Sequence, residues 1–163
     1  MIHLRPTERT QREIAEFLRR ADELAAPNAD AIRPIQETIR AAFDLNFQSE
    51  SAGGDPWAPL APFTQRERAR LGFPPQHPIV QRTGDYRRSF TEEDHPAHIS
   101  EWEAVAGRWR VAEGSADERA QGLEEGRANM PARPVTDIGE PGDHLIAVTL
   151  EYLFDQWFED DTV

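Results

Sequence analysis

"PIQETIRAAFDLNF", residues 34–47, carries the most regular apolar pattern in the chain. Its apolar residues recur at the spacing of an amphipathic helix: Ile35, Ile39, Ala42, Phe43 and Phe47. Pro34 fits the first turn of such a helix, where a missing N–H costs nothing. The pattern predicts a helix that buries one face.

A second amphipathic pattern lies just upstream, in "TERTQREIAEFLRRADELAA", residues 7–26. Thr7 is a suitable N-cap for this helix, and Pro27 follows its last residue. Only the short link "PNAD" separates the two patterns, and two helices joined by so short a link usually lie side by side. We therefore expect residues 1–46 to form a helical hairpin with antiparallel helices.

Residues 47–92 read as a loop-rich segment. Thr64 is expected to cap a short helix, "TQRERARLG", that ends at Gly72. Thr83 and Gly84 predict a tight turn, with Thr83 capping a helix that presents Arg87 and Arg88. Trp57 lies between Pro56 and Pro59, which restrict the backbone around it.

Trp57 has two interpretations. A tryptophan in a loop is most often a residue of its own chain's core, and this is the favoured interpretation. The alternative is an aromatic anchor that inserts into a partner's apolar surface at little entropic cost.

Residues 93–163 are less regular. Partial alternation, with His98, Ser100 and Trp102 and then Trp109 and Val111 on one face, predicts strands in "AHISEWEAVAG" and "RWRVAEGS". A short helix with a glycine end is expected in "ADERAQGLEEGRAN", and an extended segment in "MPARPV". The whole chain is thus predicted to be one α+β domain, with N-terminal helices and a C-terminal helix packed on a small antiparallel sheet.

The C-terminal helix is expected in "PGDHLIAVTLEYLFDQWFEDD", with Asp143 as its N-cap. Ile146, Leu150, Leu153 and Trp157 line one side of it. Further apolar residues widen that face: Leu145, Val148 and Tyr152. Two interpretations are open: a helix in the centre of the core, or a helix with one face on its own core and another on a second subunit.

Composition excludes several classes of protein. The chain has 163 residues and a net charge of -12. Because it contains no Cys, disulfides and thiol nucleophiles are ruled out. The acidic balance argues against ordinary binding to duplex DNA, which depends on neutralising phosphates. No apolar run approaches the length of a membrane span, and residues 1–10 are charged too early for a secretory signal. A soluble protein without a membrane partner is expected.

Catalytic patterns are weak. There is no H-E-x-x-H, G-x-S-x-G, phosphate-loop or dinucleotide motif. Asp94, His95 and His98 form the densest polar cluster, and the H-x-x-H spacing of the two histidines could hold a transition metal or serve a small metal-dependent hydrolase. A solvated acidic loop is the favoured interpretation. We predict no enzyme, no cofactor and no metal.

Charge is distributed unevenly along the chain. Residues 66–88 carry six arginines and only two acids. No Arg follows Arg133, and residues 151–161 contain five acids. Solvated faces are the usual explanation of such runs. The separation also suits head-to-tail contacts between identical subunits, which close into a ring if the rotation allows.

The order of four short patterns resembles a known family. "GDPWAPLAPFTQRER" follows Phe47, then come "IVQRTGDYRRSF", "MPARPVTDIG" and the terminal helix. This order resembles the virion morphogenesis (tail completion) family of tailed phages, the Mu-like head-tail joining proteins. The family's signatures are G-x-x-W-x-P-L, an Arg-Thr-Gly turn before a basic helix, and P-A-R-P. The resemblance spans roughly residues 35–158; residues 108–128 depart from it, with "ERAQGLEEG" in place of the family's aromatic and His-Gln segment.

The resemblance implies a structural virion protein that forms a homo-oligomeric ring at the phage neck. Its partners would be other neck, portal or tail-tube proteins, and genome DNA would pass through the ring without specific binding. The alternative is a soluble assembly factor that is absent from the finished particle. The interface candidates are Trp57, Leu60, Arg82, Thr83, Gly84, Arg87, Arg88, Pro131, Arg133, Pro134 and Trp157.

Overall fold

A computed structural model describes residues 11–12, 15–16, 18–19, 21, 27–74, 78–105 and 108–159. The named helices of this part are α1 (Ala29–Ser49), α2 (Pro62–Arg70), α3 (Asp85–Thr91), α4 (Ala120–Glu124) and α5 (Gly139–Glu159). The strands are β1 (Ser51–Ala52), β2 (Asp55–Pro56), β3 (His98–Val105) and β4 (Arg108–Ser115). Two antiparallel pairs result, β1 with β2 and β3 with β4. The predicted α+β class is confirmed.

Helix α1 begins earlier than the sequence pattern suggested. The side chain of Asn28 accepts a hydrogen bond from the N–H of Ala31 and caps the helix. Pro34 therefore lies inside the helix as its sixth residue, and its placement in the first turn was wrong. The helix ends at Ser49, and the left-handed backbone of its C-cap, Glu50, turns the chain into β1.

The larger of two buried clusters is aromatic. Phe47 is fully buried at its centre, with ring centroids 5.9 Å from those of Trp57, Tyr86 and Phe90. Phe43 meets Phe90 edge to face. Because these rings come from α1, the Trp57 loop and α3, the cluster joins three segments of the chain.

The β3–β4 hairpin supplies the predicted sheet. Trp102 pairs with Val111 and His98 with Ser115 in the strand register. The alternation seen in the sequence is confirmed: Trp102, Trp109 and Val111 pack on the second cluster. That cluster is formed by Ile32, Ile35 and Leu153, so the hairpin covers the contact between α1 and α5.

Helix α5 runs antiparallel to α1. The hydroxyl oxygens of Thr38 and Thr149 lie 2.9 Å apart midway along the pair. The helix begins at Gly139, so the assignment of Asp143 as N-cap was wrong. Gly139 has φ +52° and lies so close to Gly53 that a Cβ would stand 2.5 Å from the Gly53 Cα. The close approach of these two glycines fixes where α5 starts.

Two further cap predictions were wrong. Thr64 is the third residue of α2, which follows Ala61 and starts at Pro62. Gly84, with φ +75°, precedes α3 as its N-cap, and Thr83 only accepts a long 3.4 Å hydrogen bond from the N–H of Asp85. The predicted turn at Thr83 and Gly84 is confirmed.

Other sequence predictions agree with the structure. Gly72 and Gly126 follow α2 and α4 with positive φ, as expected of helix ends. Residues 131–134 contain neither helix nor strand. Residues 11–12, 15–16, 18–19 and 21 are helical, whereas Thr7 and the pairing of this helix with α1 lie outside the described residues. In the described part of the chain, no helix has the length and apolarity that crossing a bilayer requires.

Candidate subunit interface

Two motifs that lie far apart in the sequence meet in the structure. The indole N–H of Trp57 donates to the carbonyl oxygen of Pro134 at 2.9 Å. The Arg133 guanidinium donates to the carbonyls of Ala58 and Pro59 at 3.1 and 3.3 Å. The Trp57 loop and the P-A-R-P segment are thus tied together by side chain to backbone hydrogen bonds.

This contact changes the role of two interface candidates. Trp57 is 6% exposed and Arg133 is 5% exposed, so the core interpretation of Trp57 is confirmed. Burial, together with the nearby charge of Arg68, lowers the pKa of Arg133. Leu60 and Pro134 are half-buried, and Pro131 is exposed. Of these five interface candidates, only Leu60, Pro131 and Pro134 leave surface for a partner.

Arg87 and Arg88 are engaged within their own chain. Arg87 Nε donates to Asp44 at 2.7 Å, and its guanidinium also reaches Gln81 at 3.3 Å. Arg88 donates to Asp85 at 3.1 Å. Both arginines remain partly exposed. Arg87 links α3 to Asp44 on α1, and Arg88 pairs with Asp85 within α3.

The Asp44–Arg87 pair should make stability depend on pH. Partial burial disfavours the charged carboxylate of Asp44, but hydrogen bonds from Arg87 and Gln48 outweigh it and lower its pKa. The unfolded chain therefore binds this proton more tightly than the folded protein does. The pair stabilises the fold above the ordinary aspartate pKa, and its contribution is lost as the pH falls through the lowered value.

We expect Asp44→Asn to lower the free energy of unfolding at neutral pH by up to about 1 kcal/mol, since solvent screens a partly exposed pair. The difference from wild type should shrink as the pH falls towards the acid limit of folding. Urea denaturation at a series of pH values measures it. A difference that stays constant with pH would show that Asp44 does not act through its charge.

Arg82 and Thr83 lie beside a surface pocket of about 410 Å³, whereas Gly84, the next residue, is not part of its lining. Arg82 and Thr83 are exposed and line it, together with Arg68 from α2 and Arg119 from the approach to α4. We call this the arginine pocket. The sequence grouped Arg68 and Arg82 in one basic run, but Arg119 joins them only through the fold.

A stripe of apolar side chains runs along the outer side of α5. Leu145, Val148 and Tyr152 follow the i, i+3, i+7 spacing and are 36%, 47% and 61% exposed. Leu153, on the other side of the helix, is buried against α1. The interpretation of α5 as a central core helix is therefore wrong. Trp157 lies in α5, but its side chain is outside the described part.

The two histidines of the H-x-x-H pattern point to different partners. His95 Nε2 lies 3.3 Å from Asp85, whereas His98 Nε2 lies 3.2 Å from the carboxylate of Glu113. His98 Nδ1 is 3.1 Å from the carbonyl oxygen of Ser89. Asp94 is exposed. Within the described ranges, no three His, Asp or Glu side chains gather as metal ligands.

Glu113 is the centre of a buried polar network that the sequence patterns did not predict. Its carboxylate accepts a 2.6 Å hydrogen bond from Ser100 and lies 3.5 Å from Arg40. Gln36 donates to Ser100 at 2.8 Å, which links the network to α1. A signal was present, because the strand alternation places Glu113 opposite Ser100 on the inward face.

Comparisons with protein-family models, curated proteins and solved structures give no match to this chain.

Proposed function

We propose that this chain is a structural subunit that assembles with copies of itself. In this proposal it is the tail-completion or head-tail joining protein of a tailed phage and forms a ring at the neck. The observation that carries the self-association is the exposed stripe of Leu145, Val148 and Tyr152 on α5.

The stripe is a continuous surface rather than a set of scattered apolar residues. Single exposed apolar side chains are common on proteins and need no explanation. Three at the i, i+3, i+7 positions cover two successive turns of one helix side. Contiguous apolar surface of this kind favours association, because contact removes it from water.

The assignment to a phage neck rests on the motif resemblance, and the contacts among the motifs support it. Trp57 and Pro134 are hydrogen bonded, and Ile79 and Val80 pack on the aromatic cluster that contains Trp57. Gln81 donates to the carbonyl of Phe47 at 2.7 Å. The short patterns therefore form one structural unit, as expected if together they specify one fold.

Electrostatics suits a ring through which DNA passes. A net charge of -12 repels phosphates, so an acidic lining keeps the duplex from adhering as it moves. In the assembled ring, lumen-facing acids should outnumber lumen-facing arginines. A basic lumen would contradict this part of the proposal.

Electron microscopy of the purified oligomer tests the architecture. The expected particle is a closed ring with a central opening wide enough for duplex DNA. An open filament, or a particle without a central opening, would contradict the proposal.

Mass spectrometry of purified virions of the phage that encodes the chain tests its place. A joining protein is present in these virions at a few copies per particle. Absence from the virion would instead support the alternative role of a soluble assembly factor.

A further inference from the structure

The arginine pocket has more cationic than anionic groups in its wall. Arg68, Arg82 and Arg119 line it, whereas Glu67 is the single acid among the lining residues. Arg68 donates to the carbonyl of Pro78 at 2.8 Å, and Arg119 pairs with Asp117 and Asp85. No described residue accepts a hydrogen bond from Arg82. The pocket therefore presents positive charge that its own wall only partly balances.

A second observation points to a missing ligand. Tyr86 forms part of the pocket wall and is 2% exposed, and its hydroxyl has no hydrogen-bond partner among the described residues. A buried donor without an acceptor is costly and rare in folded proteins. Burial, together with the nearby charge of Arg82, also lowers the pKa of Arg68, and the carboxylate of Glu50 offsets these effects only in part.

The acidic residues around the end of α5 match the pocket in charge. Residues 159–161 are Glu, Asp and Asp, and no basic residue lies near them in the sequence. The hydrophobic wall of the pocket, which includes Leu71, Val80 and Leu123, suits a peptide that carries apolar residues beside its carboxylates. A peptide of this composition is present in every copy of the chain.

The described end of α5 lies far from the arginine pocket of its own chain. Leu153 of α5 packs on Ile32 and Ile35, near the start of α1, whereas Tyr86 packs on Phe47, near its end. Ile32 and Phe47 are 15 residues apart, or about 22 Å along the helix. Because α5 runs antiparallel to α1, its described end lies beyond Leu153, on the side of the protein away from the pocket.

We infer that the arginine pocket of one subunit receives the carboxylates of residues 159–161 from a second copy of the chain. This inference rests on the proposed self-association and defines one of its contacts. The contact is head-to-tail, because a pocket on one subunit meets the far end of α5 on the next. Such a contact propagates around a ring.

Charge reversal tests the pairing. Arg82→Glu, an exposed substitution, and the double change Asp160→Arg with Asp161→Arg should each raise the concentration at which assembly is half complete by about tenfold or more. A chain that carries all three changes should regain most of the assembly, because the charges at position 82 and at positions 160 and 161 are again opposite. Arg66→Glu, equally exposed on α2 but outside the pocket, is the matched control and should assemble like wild type.

Sedimentation velocity over a concentration series measures these shifts. The inference is overturned if Arg82→Glu behaves like Arg66→Glu, or if the combined variant does not recover.

A monomeric wild type would mean that the proposed self-association fails, and a fluorescent peptide of residues 155–163 then tests the pocket separately. Binding to wild type but not to Arg82→Glu supports the pocket, and no binding overturns it. The control is the same peptide with Glu159→Gln, Asp160→Asn and Asp161→Asn, which keeps the shape of the side chains but removes their charge.

Discussion

Replacing Phe47 with Ala should lower the free energy of unfolding by about 3–5 kcal/mol. Phe47 is fully buried, and its ring contacts those of Trp57, Tyr86 and Phe90. Truncation removes these contacts and leaves a cavity among three large rings, which cannot close together without moving α1 or α3. Urea denaturation at fixed protein concentration measures the loss.

Phe63→Ala is the matched control, because it makes the same chemical change on a side chain that is 67% exposed. It should alter the free energy of unfolding by no more than about 0.5 kcal/mol. Equal losses for the two variants would show that the aromatic cluster is not the main core of the fold.

Replacing Glu113 with Ala should cost about 3–5 kcal/mol, the usual effect of breaking a buried ion pair. The Glu113 side chain has no exposed surface, and Arg40 and His98 lie beside it with 11% and 2% exposed. Without the carboxylate, the Arg40 guanidinium keeps only Glu93, 3.9 Å away and largely exposed, as a counter-charge, and Ser100 loses its acceptor. The measurement is again the free energy of unfolding in urea.

Glu103→Ala provides the comparison, since Glu103 lies on the same hairpin but is exposed. Its effect should stay within about 0.5 kcal/mol. Glu113→Gln should fall between the two, because an amide still accepts from Ser100 but carries no charge. A loss for Glu113→Ala no larger than that for Glu103→Ala would contradict the network.

Periodicity predicted those elements in which apolar residues dominate. The stripe from Ile35 to Phe47 located α1, and the alternation around Trp102 and Trp109 located both strands of the hairpin. Helix starts were predicted less well. Asn28 caps α1 six residues before Pro34, and Gly139 starts α5 through its contact with Gly53, which is distant in the sequence.

The pairing of charges could not be predicted from the sequence alone. A run of arginines looks the same whether its members are exposed or paired, because the partners come from other elements. Arg87 reaches Asp44 on α1, and Arg133 is held by the carbonyls of the Trp57 loop. The exposure of Val148 likewise depends on how α5 lies on α1. The sequence had left open whether α5 lies in the centre of the core or has one face free for a second subunit.

The most direct test of the central claim, self-association through α5, is the mass in solution by light scattering of wild type and of Val148→Asp. Val148 lies in the middle of the exposed stripe, so an aspartate there should leave the core intact and place a charge in the contact. Phe63→Asp, an exposed change away from the stripe, is the control. We predict a closed oligomer for wild type and for Phe63→Asp, and monomers or small fragments of the ring for Val148→Asp. A monomeric wild type, or an oligomer that Val148→Asp leaves unchanged, would contradict the claim.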